Sequence, residues 1–92
     1  MSIVVRHSPV GLTRAKYDEV NERLDASGDF PPVGMKLHIL FGDDGDLRVS
    51  ELWDSTEEFE AFGSVLMPIL EEAGVQFSRP PEVFPIQHLI ER

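Results

Sequence analysis

Apolar positions along the 92-residue chain switch between alternating and helical spacing, and the switches predict six elements. Ile3 to Arg6 is short and β-branched and runs into Ser8-Pro9-Val10-Gly11, where proline and glycine end an extended run. Thr13 then caps a helix reaching about Ala26. Its Tyr17, Val20 and Leu24 recur three and four residues apart on one face, while Arg14, Lys16, Asp18, Glu19, Glu22 and Arg23 fall elsewhere. Ser27 to Gly34, with two prolines and two glycines, is loop. Met35 to Phe41 predicts a second strand and Leu47 to Trp53 a third, joined as a hairpin by the polar turn Gly42-Asp43-Asp44-Gly45-Asp46. Ser55 with Glu58 three residues on is a capping box, and the stripe Phe59, Phe62, Leu66, Ile69, Leu70 and Ala73 follows it as a second helix. Pro68 lacks a donor and predicts a kink or a fresh turn; Gly74 predicts the end. Val75 to Pro81 is loop, and Glu82 to Ile90 is a last strand whose Pro85 suggests a sheet edge or a bulge.

This β-α-β-β-α-β order, with no repeat or linker, predicts a single α+β domain over residues 1–92. Its ferredoxin-like fold is a four-stranded antiparallel sheet with two helices on one face. The helix-free face is then short of polar residues. Met35, Leu37, Ile39 and Phe41 share one side of the second strand against His38 and Leu40, and the last strand carries Phe84, Ile86 and Ile90 opposite Val83 and Leu89. A domain of this size hides only about 60 to 65% of its unfolded surface, so a second sheet laid on that face, in a homodimer, is expected.

Composition narrows the function. Eight Lys and Arg against seventeen Asp and Glu leave a net charge of −9, spread along the chain, which argues against nucleic acid and anionic membrane as partners. The absence of cysteine removes disulfides, thiolate catalysis and cysteine-held zinc or iron–sulfur sites. The apolar run at Ile3 to Val5 is too short for a secretory signal, and no run approaches the roughly 20 residues of a membrane span. A cytoplasmic location is the expectation.

Leu52-Trp53-Asp54-Ser55-Thr56-Glu57-Glu58-Phe59-Glu60-Ala61-Phe62, set after a short hairpin in a βαββαβ chain of this length, resembles the dimeric α+β barrel proteins, and among them the antibiotic biosynthesis monooxygenase-like group. Gly11-Leu12-Thr13 with Tyr17-Asp18, the strand bearing His38, and Val83-Phe84-Pro85 add to the resemblance, which spans nearly the whole chain. It implies a dimeric barrel, with cofactor-independent oxygenation or isomerisation of small apolar or aromatic compounds among the activities open to it. The superfamily's haem-degrading branch shares a tryptophan at the position of Trp53. That branch uses an asparagine on the first strand and a histidine on the second helix; here the first strand offers Arg6 and His7 and the second helix has no histidine. No cofactor is expected.

His38 and Glu51 are the candidate catalytic pair. A four-residue turn, Asp43 to Asp46, sets them opposite each other, whereas a five-residue turn pairs His38 with Ser50. In the first register the carboxylate would hold the imidazole as a general acid or base, with Trp53 on the same face. The competing reading makes both a structural pair in a non-catalytic dimer. Trp53, Tyr17, His7, Asn21 and Phe62 are the candidate substrate contacts. Tyr17 and Asn21 stand one helical turn apart, and a first strand running parallel beside the third would bring His7 to Trp53 at one end of the sheet. The blander reading makes Trp53 core and His7 and Asn21 loop or helix-boundary residues. The three histidines fall on three different strands, so no metal site is expected, and the Gly42 to Asp46 segment lacks the spacing of a calcium loop. The third strand also lacks the paired aromatics of an RNA-binding sheet.

Overall fold

A computed structural model describes residues 2–28 and 30–92. It contains β1 (Ile3–His7), α1 (Arg14–Ser27), β2 (Met35–Phe41), β3 (Arg48–Trp53), α2 (Thr56–Ala73) and β4 (Glu82–Pro85). Asp29, within the expected loop at Ser27 to Gly34, and Met1 lie outside the described residues. The four strands form one antiparallel sheet in the order β2-β3-β1-β4, the α+β ferredoxin-like arrangement.

Strand alternation sorts the two faces. Ile3, Val5, Val49, Glu51 and Trp53 point to the helix side and are all buried, with Val5 and Trp53 wholly enclosed. Val20 and Leu24 of α1 and Phe62, Leu70 and Ala73 of α2 close over the sheet as one core. The Trp53 ring meets Phe59 edge-on at 5.6 Å and lies 5.7 Å from Phe62, a tight aromatic centre under α2. On the opposite face Leu37, Ile39, Phe41 and Phe84 are exposed by 39 to 49%, as the apolar pattern led us to expect.

Both helix starts form as expected. The Thr13 hydroxyl accepts from the Lys16 amide at 3.1 Å, and the Ser55 hydroxyl accepts from the Glu58 amide at 3.2 Å while donating to the Glu58 carboxylate at 3.0 Å. The hairpin turn adds a second hold on α1, because Asp44 Oδ1 accepts from the Arg14 amide at 2.8 Å and the Leu12 carbonyl accepts from the Gly45 and Leu47 amides. That staple sets the first turns of α1, and hence Tyr17, over the β2–β3 hairpin.

Four expectations are corrected. β1 runs antiparallel to β3, so Ile3, not His7, is opposite Trp53, and His7 faces Val49. The β-α-β crossover leaves β2 running in the direction of β1, and the hairpin then reverses β3 relative to both. A register shift between Met35 and Leu37 turns Met35 to the helix side, opposite Trp53 and against the core. α2 continues through Pro68 without a fresh start; Pro68 is exposed, on the side away from the core. β4 stops at Pro85 because its partner β1 begins at Ile3; only the Ile86 amide reaches further, to the Ser2 carbonyl at 3.3 Å.

Candidate active site

His38 pairs with Glu51 across the β2–β3 ladder, the register set by the four-residue turn Asp43 to Asp46. Both side chains face the helices, and His38 Nδ1 lies 2.7 Å from Glu51 Oε2. Tyr17, held above β2 by the capped start of α1, places its hydroxyl 2.7 Å from His38 Nε2. From the neighbouring strand His7 brings Nε2 to 3.0 Å from Glu51 Oε1, and the Trp53 indole N–H donates to the same oxygen at 3.1 Å. One carboxylate thus receives two imidazoles and an indole, and a phenol extends the chain by one link.

Glu51 is 5% exposed, the one buried charged residue among those described. Burial alone would push its carboxyl up. The hydrogen bonds from His38 and His7, the charge of His7 and the Trp53 N–H outweigh that and hold it down at about 2 against an ordinary 4.5. The site therefore keeps a full negative charge over the whole range in which histidine titrates.

Above this group, between α1, α2 and the sheet, lies a partly open cavity of about 80 Å³. His7, Tyr17, Asn21, His38 and Glu51 provide its polar wall, and the rest is apolar, with Val20, Leu24, Phe62, Leu66 and Leu70 from the helices. Six of the seven residues singled out from the sequence line this one space. Trp53 does not: it is wholly buried beneath the sheet-side wall and meets the site through its bond to Glu51 and its packing on Phe62. The approach of His7 to Trp53 that a parallel β1 implied is replaced by convergence of the two on one Glu51 oxygen.

Sequence reasoning missed part of the wall. Val75 and Phe77 line the cavity from a segment expected to be loop. Phe77 bridges Pro9, the Val10 amide donates to the Gln76 carbonyl at 2.8 Å, and the Ser78 amide donates to the Ser8 carbonyl at 3.0 Å. The alternation Val75-Gln76-Phe77 was the available signal. Among the described residues no group of three or more histidine, aspartate or glutamate side chains is placed to hold a metal ion, and no helix is long and apolar enough to cross a membrane.

No protein-family model matches the sequence, and no curated protein matches it. Solved structures do, along the whole chain. SnoaB, a cofactor-independent oxygenase from Streptomyces nogalater, superposes with a TM-score of 0.61 at 16% identity, covering 99% of this chain and 96% of that one. A proposed antibiotic biosynthesis monooxygenase from Deinococcus radiodurans gives 0.60 at 13% identity, covering 100% and 98%. A similar protein from Caulobacter crescentus gives 0.58 at 16%, covering 97% and 89%. The chain thus has the fold of the antibiotic biosynthesis monooxygenase-like proteins, and the resemblance seen in its sequence is matched in three dimensions.

Proposed function

We propose that the cavity binds a small, largely apolar or aromatic molecule and that Tyr17, His38 and Glu51 relay a proton from it, without a cofactor. The observation that carries this reading is the continuous chain Tyr17 Oη to His38 Nε2 to Glu51, with the tyrosine hydroxyl at the cavity end. With Nδ1–H directed at the carboxylate, Nε2 accepts from the phenol. A substrate proton passes to Tyr17 Oη as the phenol proton passes to His38, and the buried anion stabilises the imidazolium that results. In an oxygenation the carbon left with the electron pair adds to O₂. The resulting peroxide, once protonated, loses water, so that CH₂ and O₂ become C=O and H₂O. In an isomerisation the carbon is reprotonated elsewhere.

The cavity is smaller than the roughly 300–1,000 Å³ that encloses drug-sized ligands, so the reading requires either a ligand of about one or two rings or movement of α1 away from the sheet. The exposed apolar face of Leu37, Ile39, Phe41 and Phe84 fits a second copy of the chain, sheet to sheet.

A non-catalytic dimer is the competing reading, favoured by the core tryptophan on Glu51, which suits a buried polar clamp. Native mass spectrometry of purified protein, followed by oxygen uptake with any retained compound, separates the two. Retention of a small molecule by wild type and Tyr17→Phe, with turnover cut at least tenfold in Tyr17→Phe, is the expected result. Equal turnover in wild type, Tyr17→Phe and His38→Gln would sink the relay.

A further inference from the structure

Glu51 presents one oxygen to each of two imidazoles, and the second of these, His7, is not needed for the Tyr17–His38 relay. His7 Nε2 is spent on Glu51 Oε1, while its Nδ1 has no protein partner among the described residues and is not sealed from solvent. The ring lines the same cavity as Tyr17. Among the described residues Glu51 is the only carboxylate in that lining, and no lysine or arginine contributes to it. One buried negative charge balances one imidazolium, and an imidazole stands on each of its two oxygens.

We infer that His7 is the general acid of the site and that the substrate is an enolisable ketone. The inference rests on the proton relay proposed above and adds its second half. With the extra proton on His7, Nδ1–H donates to the substrate carbonyl, while Tyr17 and neutral His38 stand ready as the base. The α-carbon loses its proton to Tyr17 Oη, the phenol proton moves to His38 Nε2, the C–H electron pair forms the C=C bond, and the carbonyl oxygen takes the His7 proton. Ketone becomes enol, no atom or electron is gained or lost, and the hub still holds one carboxylate and one imidazolium. The charge moves from the His7 side of Glu51 to the His38 side. Asn21, whose amide likewise has no protein partner among the described residues, lines the cavity beside Tyr17 and is placed to orient the carbonyl.

The test is deuterium incorporation at the α-carbon of 2-indanone in D₂O under argon, followed by proton NMR, so that no oxygen chemistry is required. Wild type should exchange at least tenfold faster than buffer, and both His7→Gln and His38→Gln should fall to near the buffer rate. A nitroalkane, 2-phenylnitroethane, distinguishes acid from scaffold, because its nitronate keeps the charge on its own oxygens and needs no proton donor. His7→Gln should keep most of its nitroalkane exchange, and His38→Gln should lose it; this also shows that the His7 variant is folded. Ketone exchange in His7→Gln equal to wild type, with His38→Gln inactive, would overturn the role of His7 and leave the relay standing. Loss of both ketone and nitroalkane exchange in His7→Gln would overturn it too, in favour of a structural role. Wild type no faster than buffer on either compound would overturn relay and acid together.

Discussion

The indole N–H of Trp53 donates to Glu51 Oε1 at 3.1 Å from two residues along the same strand, so the most enclosed aromatic side chain of the core also holds the charged centre of the cavity. Adjacent same-face positions on β3 are what make this possible, because residues two apart in a strand project to one side. Stability and site geometry are therefore linked through one bond. Replacing Trp53 with phenylalanine removes a donor to a buried anion and leaves a void under α2. A loss of about 2–4 kcal/mol is expected, measured by urea unfolding followed by circular dichroism, since the chain's only tryptophan is the residue removed. A loss below about 0.5 kcal/mol would mean that Glu51 is held by the histidines alone.

The acid limb of stability should carry the signature of Glu51. Its carboxyl is held at about 2 against an ordinary 4.5, so the folded state binds the proton less readily than the unfolded chain does. The stabilisation is complete above about pH 4.5 and is lost as pH falls from there towards 2, to a total on the order of 3 kcal/mol. The other carboxylates contribute equally to wild type and to Glu51→Gln. Urea midpoints at pH 5 and pH 3 should therefore fall more steeply for wild type than for the variant, and parallel slopes would contradict the buried, hydrogen-bonded state of the carboxylate.

Much of this centre was legible in the sequence, for local reasons. A four-residue polar turn sets the His38–Glu51 register, and helical spacing places Tyr17 and Asn21 on one face of α1. The bond from His7 is lost when β1 is taken as parallel to β3, although the order of a crossover and then a hairpin sets the two antiparallel. Met35, which a one-residue register shift turns towards the core, and the end of β4, decided by where its partner strand begins, are tertiary properties that no local pattern encodes. Pro68 predicted a kink or a fresh turn, and α2 makes no fresh start there; its missing donor falls on the exposed side, where water can satisfy the freed carbonyl.

Two glycines should respond in opposite directions to the same substitution. Gly34 has φ +91°, and a Cβ there would come within 2.5 Å of Glu58 Cδ and 2.8 Å of Glu58 Cβ, displacing the side chain that pairs with the Ser55 cap. Gly34→Ala should cost about 2–3 kcal/mol from the left-handed backbone and the disturbed cap together. Gly63, inside α2, has open space where a Cβ would sit, so Gly63→Ala should stabilise by about 0.5–1 kcal/mol through helix propensity. Thermal unfolding midpoints moving apart in the two variants would be the confirming result, and a neutral Gly34→Ala would show that the Glu58 cap rearranges freely.

The helix-free face provides the remaining test. Ile39, on the edge strand β2 and 47% exposed, sits among Leu37, Phe41 and the neighbouring strands' outward residues, and a second sheet packed there would bury it. A glutamate at that position would lie against apolar side chains in a dimer but in water in a monomer. Ile39→Glu should therefore shift sedimentation at low micromolar concentration from a dimer towards a 10.4 kDa monomer while leaving the circular dichroism spectrum of the fold unchanged. Because the cavity lies on the other side of the sheet, ligand retention by that monomer would show that each copy holds a complete site. Wild type sedimenting as a monomer, or a variant dimer as tight as wild type, would mean that this face meets something other than a second copy.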